Sequence, residues 1–103
     1  MFKLLLLITT VPNKSLAKNI AELLVRKKLA ACVSIKEICS FYAWRGEIES
    51  SEEVELSIKS TPDKLDDLMQ TLKTKITYEV PQLIYKKFDS ETDYLNWVKE
   101  SVK

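Results

Sequence analysis

The chain contains a single glycine, Gly46, in the middle of Ser40-Phe41-Tyr42-Ala43-Trp44-Arg45-Gly46-Glu47-Ile48-Glu49. Where glycine is this scarce, the one present marks a backbone position of positive φ, which penalises residues that carry a Cβ. Extended, alternating residues flank it on both sides, so the pattern predicts a tight β-hairpin pivoting at Arg45-Gly46. Its arms run from Ala30 to Trp44 and from Glu47 to Ser60. Arms of that length outrun the two helices of a small domain. The simplest partner for the excess is another copy of the chain.

A length of 103 residues predicts one domain, spanning 1–103, with a core but no room for two. The net charge of +1, with both signs interspersed, carries no footprint for nucleic acid or an anionic membrane. No stretch approaches the roughly 18 apolar residues of a bilayer span. Phe2 to Ile8 is apolar but short, with Lys3 as its one basic residue, and reads as a buried strand, not a leader. The expectation is a soluble, cytoplasmic protein with neither nucleic-acid nor membrane partners.

Histidine is absent. Its absence removes the usual general base, the Ser-His and Cys-His pairs and the commonest transition-metal ligand, so the chain reads as a non-enzyme. Two cysteines remain, Cys32 and Cys39, too far apart for a close metal or redox pair. On one strand they would point to opposite faces, with about 20 Å of extended chain between them, beyond disulfide reach. Both are expected as buried thiols.

Leu4-Leu5-Leu6-Leu7-Ile8 has the unbroken apolar run of a central strand. Asn13 then caps a helix carrying Leu16, Ile20, Leu23 and Leu24, with Arg26, Lys27 and Lys28 at its C-terminal end. Ala31, Val33 and Ile35 alternate as a second strand. The apolar phase slips near Lys36-Glu37, after which Ile38, Ser40, Tyr42 and Trp44 share a face, which predicts a bulge or kink. Val54, Leu56 and Ile58 mark a third strand, and Thr61-Pro62-Asp63 an N-cap before a helix with Leu65, Leu68, Met69 and Leu72 inward. Leu83 to Phe88 reads as a fourth strand. Asp89 or Ser90 caps a last helix with Tyr94, Leu95, Trp97, Val98 and Val102. Thr10-Val11-Pro12-Asn13-Lys14 echoes Ser60-Thr61-Pro62-Asp63-Lys64, each between a strand and a helix. Two strand-helix-strand units in tandem give an α+β, ferredoxin-like βαββαβ sandwich with an extra C-terminal helix and a long β2-β3 hairpin.

Lys28-Leu29-Ala30-Ala31-Cys32-Val33, the hairpin stretch Ser40 to Glu49, Glu53, Lys59-Ser60-Thr61, Tyr78-Glu79-Val80-Pro81 and Tyr94-Leu95-Asn96-Trp97-Val98 occur in an order and spacing that resemble the CutA divalent-cation tolerance family. The likeness covers nearly the whole chain. It implies a homotrimer whose hairpins pair between subunits, PII-like in design, linked to tolerance of copper and other divalent cations. It also implies an inter-subunit cleft at Tyr42, Trp44, Lys59, Thr61 and Tyr78, with Gln82 and Trp97 close by. Aromatic walls with an ammonium and a hydroxyl suit a small anion or a planar ligand. The alternative for Tyr42 and Trp44 is packing within the trimer, and for Lys59 pairing with a glutamate such as Glu53.

At the family's metal-associated positions the chain departs from the pattern. Thr9 stands where a cysteine is implied, Lys75 and Ile76 where a histidine is implied, and Gln82 where a glutamate is implied. Hydroxyl and amide replace thiolate and carboxylate poorly around a soft or borderline ion, so no confident copper site follows. Glu47 and Glu49 share a strand face and offer a weak acidic site for a hard divalent cation, or else a solvated edge that discourages stray pairing. Three roles compete: a metal- or ligand-binding trimer in the response to metal ions, a structural or adaptor trimer that presents a surface to a protein partner, and an enzyme, for which no nucleophile–base pair is legible.

Overall fold

The computed structural model describes residues 3–103, so Phe2, at the head of the expected first strand, lies outside the described residues. Strand β1 (Leu4–Val11) is followed by α1 (Lys14–Arg26), β2 (Cys32–Trp44) and β3 (Glu47–Ser60). A single 3-10 turn at Pro62–Lys64 leads into α2 (Leu65–Lys75), β4 (Ile84–Phe88) and α3 (Thr92–Ser101). The strands form one antiparallel sheet in the order β2-β3-β1-β4, the order that two interleaved strand-helix-strand units require.

Asn13 caps α1 as expected, its side-chain oxygen accepting from the Leu16 N–H at 2.8 Å. The helix buries Ala17, Ile20 and Leu24, a spacing of three and four that puts them on one stripe. After α1 the chain turns through Lys28 at φ 60, which lets the Leu29 N–H reach back to the Leu24 carbonyl at 2.9 Å. Thr61 occupies the cap position before Pro62, but its hydroxyl makes no cap hydrogen bond. The α3 cap is Glu91, not Asp89 or Ser90: its carboxylate accepts from the Asp93 and Tyr94 N–H groups at 2.9 and 3.0 Å. Those bonds hold the Glu91 carboxyl below its ordinary pKa. Asp89 pairs instead with Lys3.

Odd positions of β1 and even positions of β3 face α1 and α2. There Leu5, Leu7, Leu56 and Ile58 are fully buried against Ile20, Leu24, Leu68 and Leu72. Each such side chain contributes roughly 2 kcal/mol relative to exposure. The opposite face is covered only in part. Leu4 packs there with Ala31 beneath Val98 of α3 and Val102 just after it.

No bulge interrupts β2. Its pairing with β3 runs unbroken from Cys32↔Lys59 to Trp44↔Glu47. The apparent slip at Lys36-Glu37 is a change of which face is apolar. Val33 and Ile35 face the helices, whereas Ile38, Tyr42 and Trp44 face the other way, where the arm has passed beyond α1 and α2. Cys32 and Cys39 are on opposite faces and both are free, but Cys32 is only half-buried and Cys39 is exposed, contrary to the buried thiols expected. Cys39 stands on the stretch of arm that no helix covers.

β1 leaves β3 at Val11↔Val54, so residues 47–53 pair with β2 alone. The arm stretches the molecule to 45 Å against 24 and 22 Å in the other directions. Arg45 at φ 51 and Gly46 at φ 81 form its turn, with positive φ at both central positions as a two-residue hairpin of matching twist needs. Along the arm Phe41 is 75% exposed and Ile48 85%.

Candidate functional site

Thr10, Ser40, Tyr42, Trp44 and Glu53 all stand on the sheet face away from α1 and α2, as the register dictates. The connector between α2 and β4 folds over the end of this face and adds Tyr78, Glu79 and Gln82. Together they line a groove of about 440 Å³ between the arm and the connector. Three aromatic rings form its walls, two carboxylates supply its charge, and hydroxyls and an amide supply neutral polar contacts.

Hydrogen bonds set the positions of these groups. The Tyr78 hydroxyl donates to Glu53 Oε2 at 2.8 Å. Tyr42 Oη and Ser51 Oγ share a hydrogen bond at 2.9 Å. Arg45 Nη2 reaches Glu79 Oε2 at 3.0 Å, and its guanidinium carbon lies 5.5 Å from the Trp44 ring centroid. Burial pushes the Tyr78 phenol well above the ordinary tyrosine pKa. Its bond to Glu53 and that carboxylate's charge add to the shift, with Tyr42 contributing least. Tyr78 is therefore a neutral donor.

Of the sequence-derived cleft residues, the structure brings Tyr42, Trp44, Tyr78 and Gln82 together. Lys59, Thr61 and Trp97 lie elsewhere within the chain. Lys59 shares a face with Glu53 but stands six residues along the strand, about 20 Å away, and donates to Ser34 Oγ at 3.0 Å. Within one chain it does not meet Glu53, so that pairing would need a neighbouring subunit. Thr61 is buried, and its hydroxyl has no partner. Trp97 sits on α3, half exposed, with its ring centroid 5.7 Å from that of Tyr94. Without Lys59 the groove has no ammonium, so the small-anion expectation loses its main support within one subunit.

The four metal-associated positions do not converge. Thr9 and Ile76 are buried in the core beneath the helices, Lys75 edges a hollow between α1 and α2, and only Gln82 reaches the groove. Glu47 and Glu49 share a face as expected, opposite Trp44 and Tyr42, and are exposed. No group of three or more His, Cys, Asp or Glu side chains gathers to hold a metal among the described residues.

Sequence reasoning missed Thr10, Glu79 and Arg45 and the bond from Tyr78 to Glu53 within the chain. The pairing of Glu53 with Ile38, two residues from Ser40 on the groove face, is the signal that would have placed it. Glu79 and Arg45 are 34 residues apart, and no local pattern links them.

The CutA1 divalent ion tolerance protein family matches residues 5–101. A Thermotoga maritima relative, named divalent-cation tolerance protein CutA, is 36% identical over 100 residues, covering 96% of this chain and 99% of the relative. The solved structure of CutA from Synechococcus elongatus PCC7942 superposes with a TM-score of 0.93 at 36% identity, covering 98% of this chain and 91% of that one. The structure named periplasmic divalent cation tolerance protein CutA, from Archaeoglobus fulgidus, superposes at 0.93 with 31% identity, covering 100% of each chain.

Proposed function

The chain belongs to the CutA1 divalent ion tolerance family, and from that premise we propose that it acts as a non-enzymatic, PII-like homotrimer in the response to divalent cations, through a ligand bound in the Tyr42–Trp44–Tyr78–Gln82 groove. The observation that carries this reading is the arm. Its outer half pairs with no third strand, and it displays Phe41 and Ile48 to solvent. An isolated two-stranded ribbon is marginal in water, and its open edges invite strands from other chains. Sister arms are the natural complement.

Copper itself is a poor fit to the groove, so the proposed role runs through a small ligand and not through a cysteine- or histidine-bound metal. Lys59, Thr61 and Trp97 are assigned to packing and to contact between copies. Two free thiols, one of them exposed, suit a reducing compartment, and we place the protein in the cytoplasm. Sedimentation of the purified chain tests the assembly, and calorimetric titration with copper, zinc and small organic ligands tests the groove. A trimer that binds none of them but recovers a stoichiometric protein partner supports the adaptor alternative, which the same exposed apolar arm favours.

A further inference from the structure

The groove joins carboxylates to aromatic faces, and its tip already shows what that combination holds. Arg45 places its guanidinium against the Trp44 ring at 5.5 Å and against Glu79 at 3.0 Å. It does so from a backbone at φ 51, a conformation that glycine or asparagine adopts more readily. Both contacts are open to water, with the Arg45 side chain 72% and that of Glu79 64% exposed, so the pair is weakly held and displaceable. Deeper in, Thr10 is 5% exposed and lines the groove. Glu53 adds a second carboxylate, and no lysine lines the groove.

Building on the groove reading above, we propose that its ligand is a small organic cation, a guanidinium or primary amine, seated on the Trp44 and Tyr42 rings and held by Glu79. Arg45 is then the ligand's internal competitor for the ring and the carboxylate. Rings favour a weakly hydrated, delocalised cation over a bare divalent ion, which would need several converging oxygens. The Thr10 hydroxyl accepts an N–H from the ligand's inner end.

The test is calorimetry on the whole chain with four probes: n-butylguanidinium, its uncharged isostere n-butylurea, n-butylsulfonate and copper chloride. The guanidinium is expected to bind and the urea to bind about tenfold more weakly or not at all. Glu79→Gln is expected to weaken guanidinium binding about tenfold, and Arg45→Ala to tighten it several-fold. That gain is the signature of a competitor removed, and a merely structural Arg45 would not give it. Far-UV dichroism confirms folding, and Arg45→Lys supplies a second variant with an intermediate effect. Equal binding of urea and guanidinium, or a loss on Arg45→Ala in a folded protein, overturns the proposal. Sulfonate binding or copper binding without guanidinium binding overturns it while leaving a ligand-binding role in place. Silence of all four probes removes both readings.

Discussion

The Tyr78 hydroxyl donates to Glu53 Oε2 at 2.8 Å, tying the connector before β4 to the inner end of the projecting arm. Both side chains are half-buried, and both line the groove. This bond links the two walls of the groove. Its loss therefore affects stability and groove shape together.

Tyr78→Phe is expected to lower stability by about 1 kcal/mol at neutral pH, less than for a fully buried charged pair because water reaches this one. The bond also makes stability depend on alkaline pH. Because the folded phenol's pKa is raised, its contribution is fully present below the unfolded tyrosine value of about 10 and is lost as pH climbs toward the higher folded value. Urea unfolding of wild type and Tyr78→Phe at pH 7 and pH 11 checks this. The gap between the two proteins should narrow at the higher pH.

Gly46 has φ 81, and a Cβ built there meets nothing within 4 Å. Gly46→Ala therefore costs only backbone conformation, about 1 kcal/mol, with no steric clash. Thermal unfolding should show a modest loss, and Arg45→Asn, which suits positive φ better, should recover part of it.

Thr9 and Thr61 each bury a hydroxyl that has no partner among the described residues. Replacing the hydroxyl with a methyl group of similar size removes an unsatisfied polar atom. Thr9→Val is expected to raise stability by about 1 kcal/mol. Denaturant midpoints measure it. Since Thr9 lies in the core and not in the groove, the same variant should leave every ligand titration unchanged.

Chelation should leave the unfolding midpoint where it is. The described residues gather no cluster of three metal-binding side chains within one chain, so the expected folding contribution of a resident ion is nil. Calorimetric scans with and without EDTA check this, and a drop with chelator would reveal a site made by assembly.

Much of the architecture was readable from local pattern. The Asn13 cap, the stripe Ile20-Leu24, the Leu68-Leu72 pair and the turn at Arg45-Gly46 each follow from spacing or residue chemistry within a few positions. The bulge at Lys36-Glu37 was misread for a physical reason. A change of apolar face looks the same as a change of phase until one knows where α1 and α2 end. The α3 cap was misplaced because Asp89, a good cap by type, is engaged by Lys3 from the other end of the chain. Half the groove was legible as aromatic alternation on β2. Lys59 stands with it only in the cleft between subunits that the family resemblance implies, and within one chain it lies apart, on Ser34. Glu79 meets Arg45 only through the fold.

Sedimentation velocity at micromolar concentration tests the central claim most directly, with wild type beside Phe41→Lys/Ile48→Lys. An arm completed by sister chains predicts a wild-type species of three times the 11.9 kDa chain mass and a shift toward monomer in the double variant. A folded wild-type monomer would contradict it.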